Sequence, residues 1–419
     1  MRHLNLYLGC LLCMSTQVHA ELLINGKVVT NTATTSQYQP NNNFSACLNN
    51  LQNQATAKGV SASYYQRYVL PQRPDYSVID KLNYQPEFSM PIWDYMSGLV
   101  DAERISMGRQ KLQQHRDVLN RIEQQYGVPA ETVVAVWGVE SDFGQISGKY
   151  PLLQALSTLS CEGRRQSYFR GELFATLRIL QRGDLNESQL RGSWAGAFGH
   201  TQFMPSTYER LAVDFDGDGR RDLVSSIPDA LASTANFLKR GGWQSHQPWG
   251  FEVRLPEGMS ISGENRKNKK SLQSWINRGV VRADGSPLLQ GALTSASSAG
   301  LIAPAGRHGP IFLVFKNFDA IYGYNAAESY ALAIAHLSDR LRGQSGLVQR
   351  WPTDDAGTSR AERREIQQYL LNKGYDIGNV DGLIGDKTRY AIQKEQARLG
   401  LATTGRAGQQ ILKALRQQR

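Results

Sequence analysis

The sequence predicts a mainly α-helical protein of the α+β class, with a large helical domain, a small β-rich insertion and a small helical C-terminal module. Helical spacing of apolar residues begins near Pro91 and recurs along most of the chain. Between about 251 and 315 it gives way to short alternating pieces separated by Gly and Ser, which is typical of β-strands. The stretch 343–360 has no periodicity and is predicted to be a linker before residues 361–419.

Residues 1–20 are predicted to be a secretory signal. Arg2 precedes an apolar run that ends near Met14, and the small residue Ala20 closes the segment. The run is too short to remain as a membrane span, and neither Cys10 nor Cys13 lies in a lipoprotein-type context. We therefore expect a soluble exported protein without a lipid-attachment motif.

Cysteine number and charge fit an exported protein. Removal of the signal leaves Cys47 and Cys161, for which we expect a disulfide, with two buried free thiols as the alternative. The net charge is +10, and residues 360–419 hold twelve Lys and Arg against six Asp and Glu. Such a chain should favour anionic surfaces, namely the cell wall, lipid head groups or acidic polysaccharide, and export argues against nucleic acid as a partner.

Helices are predicted in order from their apolar spacing and their cap residues. A polar lead-in turns partly helical at 47–57, and a long polar-faced helix at 105–126 is stopped by Gly127. Pro129 and Gly144 then mark the start and the end of an apolar helix. Further helices are predicted at 152–159, 168–182, 206–211, 228–239 and 326–342.

The apolar helix carries the most informative stretch, 133–142, which reads Val-Val-Ala-Val-Trp-Gly-Val-Glu-Ser-Asp. A helix that is apolar on nearly every face is buried, so it should carry the carboxyl group of Glu140 into the interior. Burial and the negative pole of the helix C-terminus both disfavour the ionised carboxyl, so we expect the pKa of Glu140 to be raised. A carboxylic acid that stays protonated near neutrality can donate a proton to a leaving oxygen.

The absence of an obvious second acid in the sequence restricts the chemistry expected of Glu140. Glycosidic cleavage usually needs two carboxyl groups facing each other across the sugar, but Asp142, two positions away, points to another side of the helix. The C6 hydroxyl of the substrate can instead attack the anomeric carbon of the same sugar, replacing a captured water. Glu140 would first protonate the leaving oxygen and then act as base on that hydroxyl.

An acidic loop begins like an EF-hand calcium loop. Acids at the first, third and fifth places are followed by Gly at the sixth, but the twelfth place is Ser225 rather than Glu. An acid four residues later is expected to close the site, so the predicted ligands are Asp214, Asp216, Asp218, Arg220 and Asp229. A series of plain Asp-Gly turns is the alternative. A bound Ca²⁺ would be structural, pinning the helix at 228–239.

Four motifs occur in order along the large domain: 138–144 (Gly-Val-Glu-Ser-Asp-Phe-Gly), 157–160 (Ser-Thr-Leu-Ser), 164–165 (Arg-Arg) and 192–206 (Gly-Ser-Trp-Ala-Gly-Ala-Phe-Gly-His-Thr-Gln-Phe-Met-Pro-Ser). Together they resemble the lytic murein transglycosylase B family over about residues 45–342. The resemblance implies a lysozyme-like fold. It also implies cleavage of the MurNAc–GlcNAc linkage of peptidoglycan, leaving a 1,6-anhydro-muramyl end.

The resemblance also implies site residues by position. Glu140 matches the family's catalytic acid and base, and the substrate-binding residues are expected to be Arg164, Arg165, Ser193, Gln202, Phe203, Asn317 and Tyr324. The arginine pair suits muramyl carboxylates, although pairing with surface acids is the alternative. The alternative for Gln202 is a structural role in holding a loop in place. The alternative for Gly196 and Gly199 is that they only permit tight packing. Phe237 stands where some members carry Tyr.

The C-terminal module resembles a small three-helix peptidoglycan-binding domain. Its pattern combines turn glycines, including Gly374 and Gly382, with apolar stripes that contain Ile366, Leu370 and Ile392. We expect it to be a tether, so that deletion of 346–419 weakens binding to sacculi and leaves cleavage of soluble glycan largely intact.

These observations predict an exported lytic transglycosylase of the periplasm, associated with the wall, with a catalytic domain at 21–342 and a wall-binding module. It would cleave the MurNAc-β-1,4-GlcNAc bond with Glu140 as single acid and base. A muramidase that captures water and a non-catalytic wall-binding protein are the alternatives. We expect no cofactor for catalysis, a monomer, and two kinds of partner: peptidoglycan glycan strands and other cell-wall enzymes.

Overall fold

The computed structural model describes residues 43–83 and 90–418, together with the backbone of a hairpin formed by strands β1 (Leu22–Ile24) and β2 (Lys27–Val29). The predicted signal at 1–20 lies outside the described residues. Helices dominate the described chain, which confirms the mainly α class. Within this part of the chain, none of the helices combines the length and the apolar character needed to cross a bilayer.

The large domain consists of helices packed around one extended core. In chain order the first ten are α1 (Phe44–Ala57), α2 (Ala62–Tyr68), α3 (Ile92–Leu99), α4 (Ala102–Gln114), α5 (Arg116–Tyr126), α6 (Ala130–Ser141), α7 (Leu152–Cys161), α8 (Gln166–Arg182), α9 (Pro205–Leu211) and α10 (Ile227–Arg240). Strands β3 (Tyr150–Pro151) and β4 (Arg191–Gly192) form a short antiparallel pair beside them. Helix α6 lies at the centre, in contact with α4, α5 and α10.

The β-rich insertion is a five-stranded antiparallel sheet with a core of its own. Its strands are β5 (Gly250–Arg254), β6 (Lys270–Ser271), β7 (Val281–Arg282), β8 (Ser298–Ile302) and β9 (Ile311–Val314), in the order β6-β8-β9-β5-β7. A short helix, α11 (Leu272–Asn277), covers this core with Trp275, whose indole N–H donates to the Ala299 carbonyl oxygen at 2.9 Å. The sheet confirms the insertion predicted for about 251–315.

One predicted helix is wrong in its extent, and another helix is not predicted by the sequence, each for a local reason. The helix predicted at 105–126 is divided at His115, which leaves the helical region (φ −111°, ψ 23°) and places its ring against the indole of Trp137. The chain from 316 to 341 forms two helices, α12 (Lys316–Asn325) and α13 (Glu328–Leu341), separated by Ala326 in the left-handed region. The apolar spacing predicts only α13, as the helix at 326–342, because α12 follows directly on the apolar strand β9.

A disulfide joins Cys47 on α1 to Cys161 at the end of α7, as expected. The two residues lie 114 positions apart in sequence. The bridge therefore fixes the amino-terminal helices to the middle of the large domain, and the alternative of two free thiols is wrong.

The C-terminal module has the expected three helices, α14 (Arg360–Asn372), α15 (Asp386–Arg398) and α16 (Gln409–Arg416), around a small core. The segment before it lacks helix, as predicted, but it is not a loose linker. The backbone N–H groups of Val348 and Gln349 donate to the Glu252 carboxylate, and Trp351 packs against the core of the large domain. The module itself contacts α3 and α4 through ion pairs.

Candidate active site

Helix α6 is buried along almost its whole length and ends inside the protein. Residues 132–141 are all buried, and Glu140 in the last turn is 5% exposed. The helix packs against α13 in addition to its neighbours α4 and α10. The burial predicted from its apolar composition is confirmed, and the carboxyl group of Glu140 is held away from bulk water.

Tyr330 contacts this carboxyl group directly. Its hydroxyl donates a hydrogen bond to Oε1 of Glu140, and its ring is 2% exposed in the first turn of α13. A donor fixed in a packed helix sets the orientation of the carboxyl. Sequence reasoning missed Tyr330 because a tyrosine in an apolar helical stripe is usually a packing residue. Its hydroxyl, which needs a partner when buried, was the available signal.

The chain makes an unusual turn immediately after Glu140. Asp142, Phe143 and Gly144 all have positive φ (52°, 59° and 86°), which is a disfavoured backbone conformation for the two non-glycine residues. Ser141 stabilises this turn: its hydroxyl donates to the His200 carbonyl oxygen at 2.5 Å and accepts from the N–H of Gly144 at 2.9 Å. The end of α6 is thereby bound to the loop that carries the 192–206 motif.

Asp142 is paired with two arginines. Arg104 lies 3.2 Å from its Oδ1, and Arg360 of the C-terminal module lies 2.7 Å from its Oδ2. Burial by itself would raise the pKa of Asp142, but the hydrogen bonds and charges of Arg360 and Arg104 outweigh it and hold the pKa below its ordinary value. Asp142 is therefore a structural anion and a poor proton donor, in agreement with its exclusion as a second catalytic acid.

The 192–206 motif forms a tight loop in which Ser193 and Gln202 are each 5% exposed. The Ser193 hydroxyl accepts from the N–H of Ala197 at 3.0 Å, and the Gln202 amide donates to the Gly199 carbonyl oxygen at 2.8 Å. Gly199 has φ 77°, and a Cβ there would lie 2.6 Å from the Leu223 carbonyl oxygen. Both polar side chains therefore bind their own loop.

An aromatic cluster lies behind this loop. The rings of Phe203, Phe237 and Tyr324 contact one another at centroid distances of 4.4–5.9 Å, and Tyr324 stacks at 6.5 Å on Tyr330. Tyr324 is only 7% exposed, and its hydroxyl donates to the Thr201 carbonyl oxygen at 3.2 Å. The cluster supports Tyr330 and the loop from within, so Phe203 and Tyr324 have packing roles beside any contact with substrate.

Asn317 lies inside the protein. It is fully buried, its Oδ1 accepts from the N–H of Gln244 at 2.7 Å, and its amide donates to the carbonyl oxygens of Gln244 and Gln247. These bonds fasten the loop after α10 to α12. The side chain of Asn317 therefore has a structural role in this loop, and the cleft role that the resemblance implied stays a prediction.

Arg164 and Arg165 lie on the surface at the start of α8, three and four residues after the disulfide at Cys161. The Arg164 guanidinium donates to the Leu82 carbonyl oxygen, and that of Arg165 lies 4.8 Å from the ring centroid of Tyr168. Their exposure suits contact with an anionic ligand.

The acidic loop brings three carboxylates together. Oxygen atoms of Asp214, Asp216 and Asp229 lie within 4.8 Å of one another, and Asp229 is fully buried. Hard oxygen donors from a short loop and a following helix fit a Ca²⁺ ion, which would neutralise these charges. Asp218 is not a member of this group; it accepts from the N–H of Arg220 at 2.8 Å.

The acidic loop also supports the site. The N–H of His200 donates to the Leu223 carbonyl oxygen at 2.8 Å, and His200 is the residue whose carbonyl binds Ser141. Burial lowers the pKa of His200, so the ring is neutral near pH 7, and its Nδ1 accepts from the Trp137 indole at 3.2 Å. The loop, His200 and the end of α6 are thus linked by consecutive hydrogen bonds.

Comparisons with known proteins match both parts of the chain. The transglycosylase SLT domain family matches residues 43–339, and a peptidoglycan binding domain family matches residues 359–415. Membrane-bound lytic murein transglycosylase B of Escherichia coli (strain K12) is 34% identical over 247 residues, which are 58% of this chain and 65% of that protein. The chain therefore spans just under two thirds of this curated relative.

Solved structures extend the likeness to both domains. SltB3 from Pseudomonas aeruginosa, in complex with NAG-anhNAM-pentapeptide, is 43% identical with a TM-score of 0.72, covering 90% of this chain and 100% of that one. The Escherichia coli lytic transglycosylase Slt35, in complex with calcium, is 30% identical with a TM-score of 0.61, covering 72% and 93%. These likenesses confirm the predicted fold of the catalytic domain and of the C-terminal module.

Proposed function

The chain belongs to the transglycosylase SLT domain family, and we propose that it is a lytic transglycosylase that cleaves the MurNAc-β-1,4-GlcNAc bond of peptidoglycan and leaves a 1,6-anhydro-muramyl end. The observation that carries the proposal is the carboxyl group of Glu140, buried at the end of an apolar helix and oriented by Tyr330. Asp142, the nearest acid in sequence, is neutralised by two arginines. One acid is therefore available at the end of α6.

In the proposed reaction Glu140 acts first as acid and then as base. Its proton goes to the glycosidic oxygen as the bond from that oxygen to C1 of MurNAc breaks. The C6 hydroxyl of the same MurNAc attacks C1, and its proton passes to the Glu140 carboxylate as the new C1–O6 bond forms. The carboxylic acid is restored and no water is consumed. The low-polarity surroundings favour the neutral carboxyl at the start of the cycle.

A relative's ligands support the choice of a transglycosylase. SltB3 has been solved with NAG-NAM-pentapeptide as well as with NAG-anhNAM-pentapeptide, and both structures are 43% identical to this chain. The second ligand carries the anhydro sugar that intramolecular attack produces. The alternatives are a muramidase that captures water, which would leave reducing ends, and a non-catalytic wall-binding protein, which would form no products.

We also propose a location, a metal and further contacts. The predicted signal at 1–20 and the Cys47–Cys161 disulfide support a periplasmic protein. The cluster of Asp214, Asp216 and Asp229, together with the calcium complex of Slt35, supports a structural Ca²⁺ beneath the 192–206 loop. The exposed pair Arg164 and Arg165 would bind carboxylates of the muramyl peptide, and the C-terminal module would bind the wall.

Clearing of a sacculus suspension tests the role of Glu140. Glu140→Gln keeps the shape of the side chain but removes its acid, so we expect a loss of activity of at least a hundredfold, at the low end of about 10²–10⁴ for a general acid. The matched control is Glu131→Gln, in the first turn of the same helix, which removes only a half-exposed ion pair with Arg342. Equal clearing by wild type and Glu140→Gln would overturn the assignment.

A further inference from the structure

The C-terminal module contacts the large domain through ion pairs in which the module supplies the cations. Arg360 pairs with Asp142, Arg364 pairs with Glu103 at 2.7 Å, and Arg406 pairs with Asp94 at 2.8 Å. The backbone at Gly357 also approaches α3, where a Cβ would lie 2.1 Å from the hydroxyl oxygen of Ser97. Part of the module's positive charge is therefore used inside the molecule.

Arg360 differs from Arg364 and Arg406 because its partner, Asp142, forms the turn that follows Glu140. It is the first residue of α14, and its guanidinium makes two hydrogen bonds to Asp142, at 2.7 Å and 3.1 Å. A bidentate pair fixes direction as well as distance. Asp142 is the residue that ends α6 in the left-handed conformation, two positions after Glu140. Glu103 and Asp94 lie on α4 and α3 and are not part of the turn that follows Glu140.

The catalytic domain supplies only part of the fixation of Asp142. Nη2 of Arg104 donates one hydrogen bond to Oδ1 of Asp142 at 3.2 Å, whereas Nη1 of Arg104 donates to the Gly98 carbonyl oxygen at 2.8 Å. The second oxygen of the Asp142 carboxylate has Arg360 as its partner. Without Arg360, the left-handed turn would be held on this side by the single bond from Arg104.

We propose that Arg360 is a positioning residue of the active site: through Asp142, the wall-binding module holds the turn that ends the catalytic helix and so sets the placement of Glu140. This inference rests on the proposed function. It also replaces the expectation that the module is an independent tether. A misplacement of about 1 Å can cost a catalytic group a hundredfold in rate, so a remote ion pair can affect turnover.

The test compares full-length Arg360→Gln with Arg364→Gln on a soluble glycan, recording kcat, KM and Tm. Both variants remove one cation from the same interface, but only the first frees the turn after Glu140. We expect Arg360→Gln to lower kcat about tenfold with KM nearly unchanged, whereas Arg364→Gln keeps wild-type kcat. Arg360→Lys, which keeps the charge and one donor, should recover part of the lost kcat.

Equal kcat values for Arg360→Gln and Arg364→Gln, at temperatures where both are folded, would overturn the inference. If Arg360→Gln does not fold at the assay temperature, Arg360→Lys carries the same comparison, and equality with Arg364→Gln would again refute it. Glu140→Gln is measured alongside. If it retains activity, the proposed function fails; if it is inactive while the two arginine variants agree, only the positioning role fails.

Discussion

At the scale of single residues, the site depends on Glu140 and the groups that hold it. The sequence predicts the burial of Glu140 because the apolar residues that bury it are its own neighbours on α6. Tyr330 lies 190 residues away, and only the packing of α13 on α6 brings its hydroxyl to the carboxyl. Asn317 is a different case. A motif match identifies its position in the sequence, but its hydrogen bonds to the backbone of Gln244 and Gln247 form only in the folded loop and cannot be predicted from the motif.

Tyr330→Phe tests the contact with Glu140. The substitution keeps the ring and removes the donor, so the carboxyl loses its fixed orientation and we expect kcat to fall about tenfold. Tyr65→Phe is the matched control, because its buried hydroxyl donates to the Leu48 carbonyl oxygen at 2.7 Å far from the proposed chemistry. The control should cost about 1 kcal/mol of stability with kcat unchanged. Unchanged kcat in Tyr330→Phe would contradict the orienting role.

At the scale of elements, most helices are predictable because caps and apolar spacing are local. The turn at Gly127, with φ 67°, and the start of α6 after Pro129 are as predicted. The break at His115 could not be predicted, since it depends on where the ring of Trp137 lies. The acidic loop was recognised from its spacing. The folded geometry then selects Asp229 and leaves Asp218 outside the cluster.

Chelation tests the proposed calcium site. If Asp214, Asp216 and Asp229 bind Ca²⁺, removal of the ion should lower the Tm, and Ca²⁺ at a hundredfold excess over Kd should restore about 3 kcal/mol of stability. Asp214→Asn should abolish this response. Asp218→Asn, outside the cluster, should retain it. A melting curve that chelation does not change would contradict the metal site.

The buried carboxyl group of Asp339, on helix α13, makes the stability of the folded protein depend on pH. Burial raises the pKa of Asp339 to about 6, although the Trp249 indole donates to it at 2.9 Å. The folded protein binds this proton more tightly than the unfolded chain, so the stabilisation is complete below about pH 4 and is lost as the pH rises through 6. Asp339→Asn should therefore be more stable than wild type at pH 7, by at most about 3 kcal/mol.

The measurement is the difference in Tm between Asp339→Asn and wild type across this pH range. Asparagine can still accept from Trp249, whereas the pairing with Arg342, 3.7 Å away, is lost and offsets part of the gain. The difference should shrink as the pH falls from 7 to 4. A difference that stays constant over this range would show that the carboxyl is not the cause.

At the scale of the whole molecule, the sequence predicts the two domains but not their relation. Residues 343–360 lack periodicity, as a flexible linker does, yet Trp351 and the backbone at Val348 are fixed to the large domain. Likewise, the excess of cations in the module favours an anionic wall as its partner. In the structure, however, Arg360 pairs with Asp142 at the end of α6, and Arg406 pairs with Asp94 on α3. The composition gives the number of charged residues but does not show which residue each of them contacts.

In the proposed reaction the substrate's own C6 hydroxyl completes the cleavage that Glu140 starts. The direct test is mass spectrometry of muropeptides released from sacculi by the full-length protein in water enriched in heavy oxygen. We predict 1,6-anhydro ends that carry no label, because no water enters the products. Reducing ends that contain heavy oxygen would identify a muramidase and contradict the account.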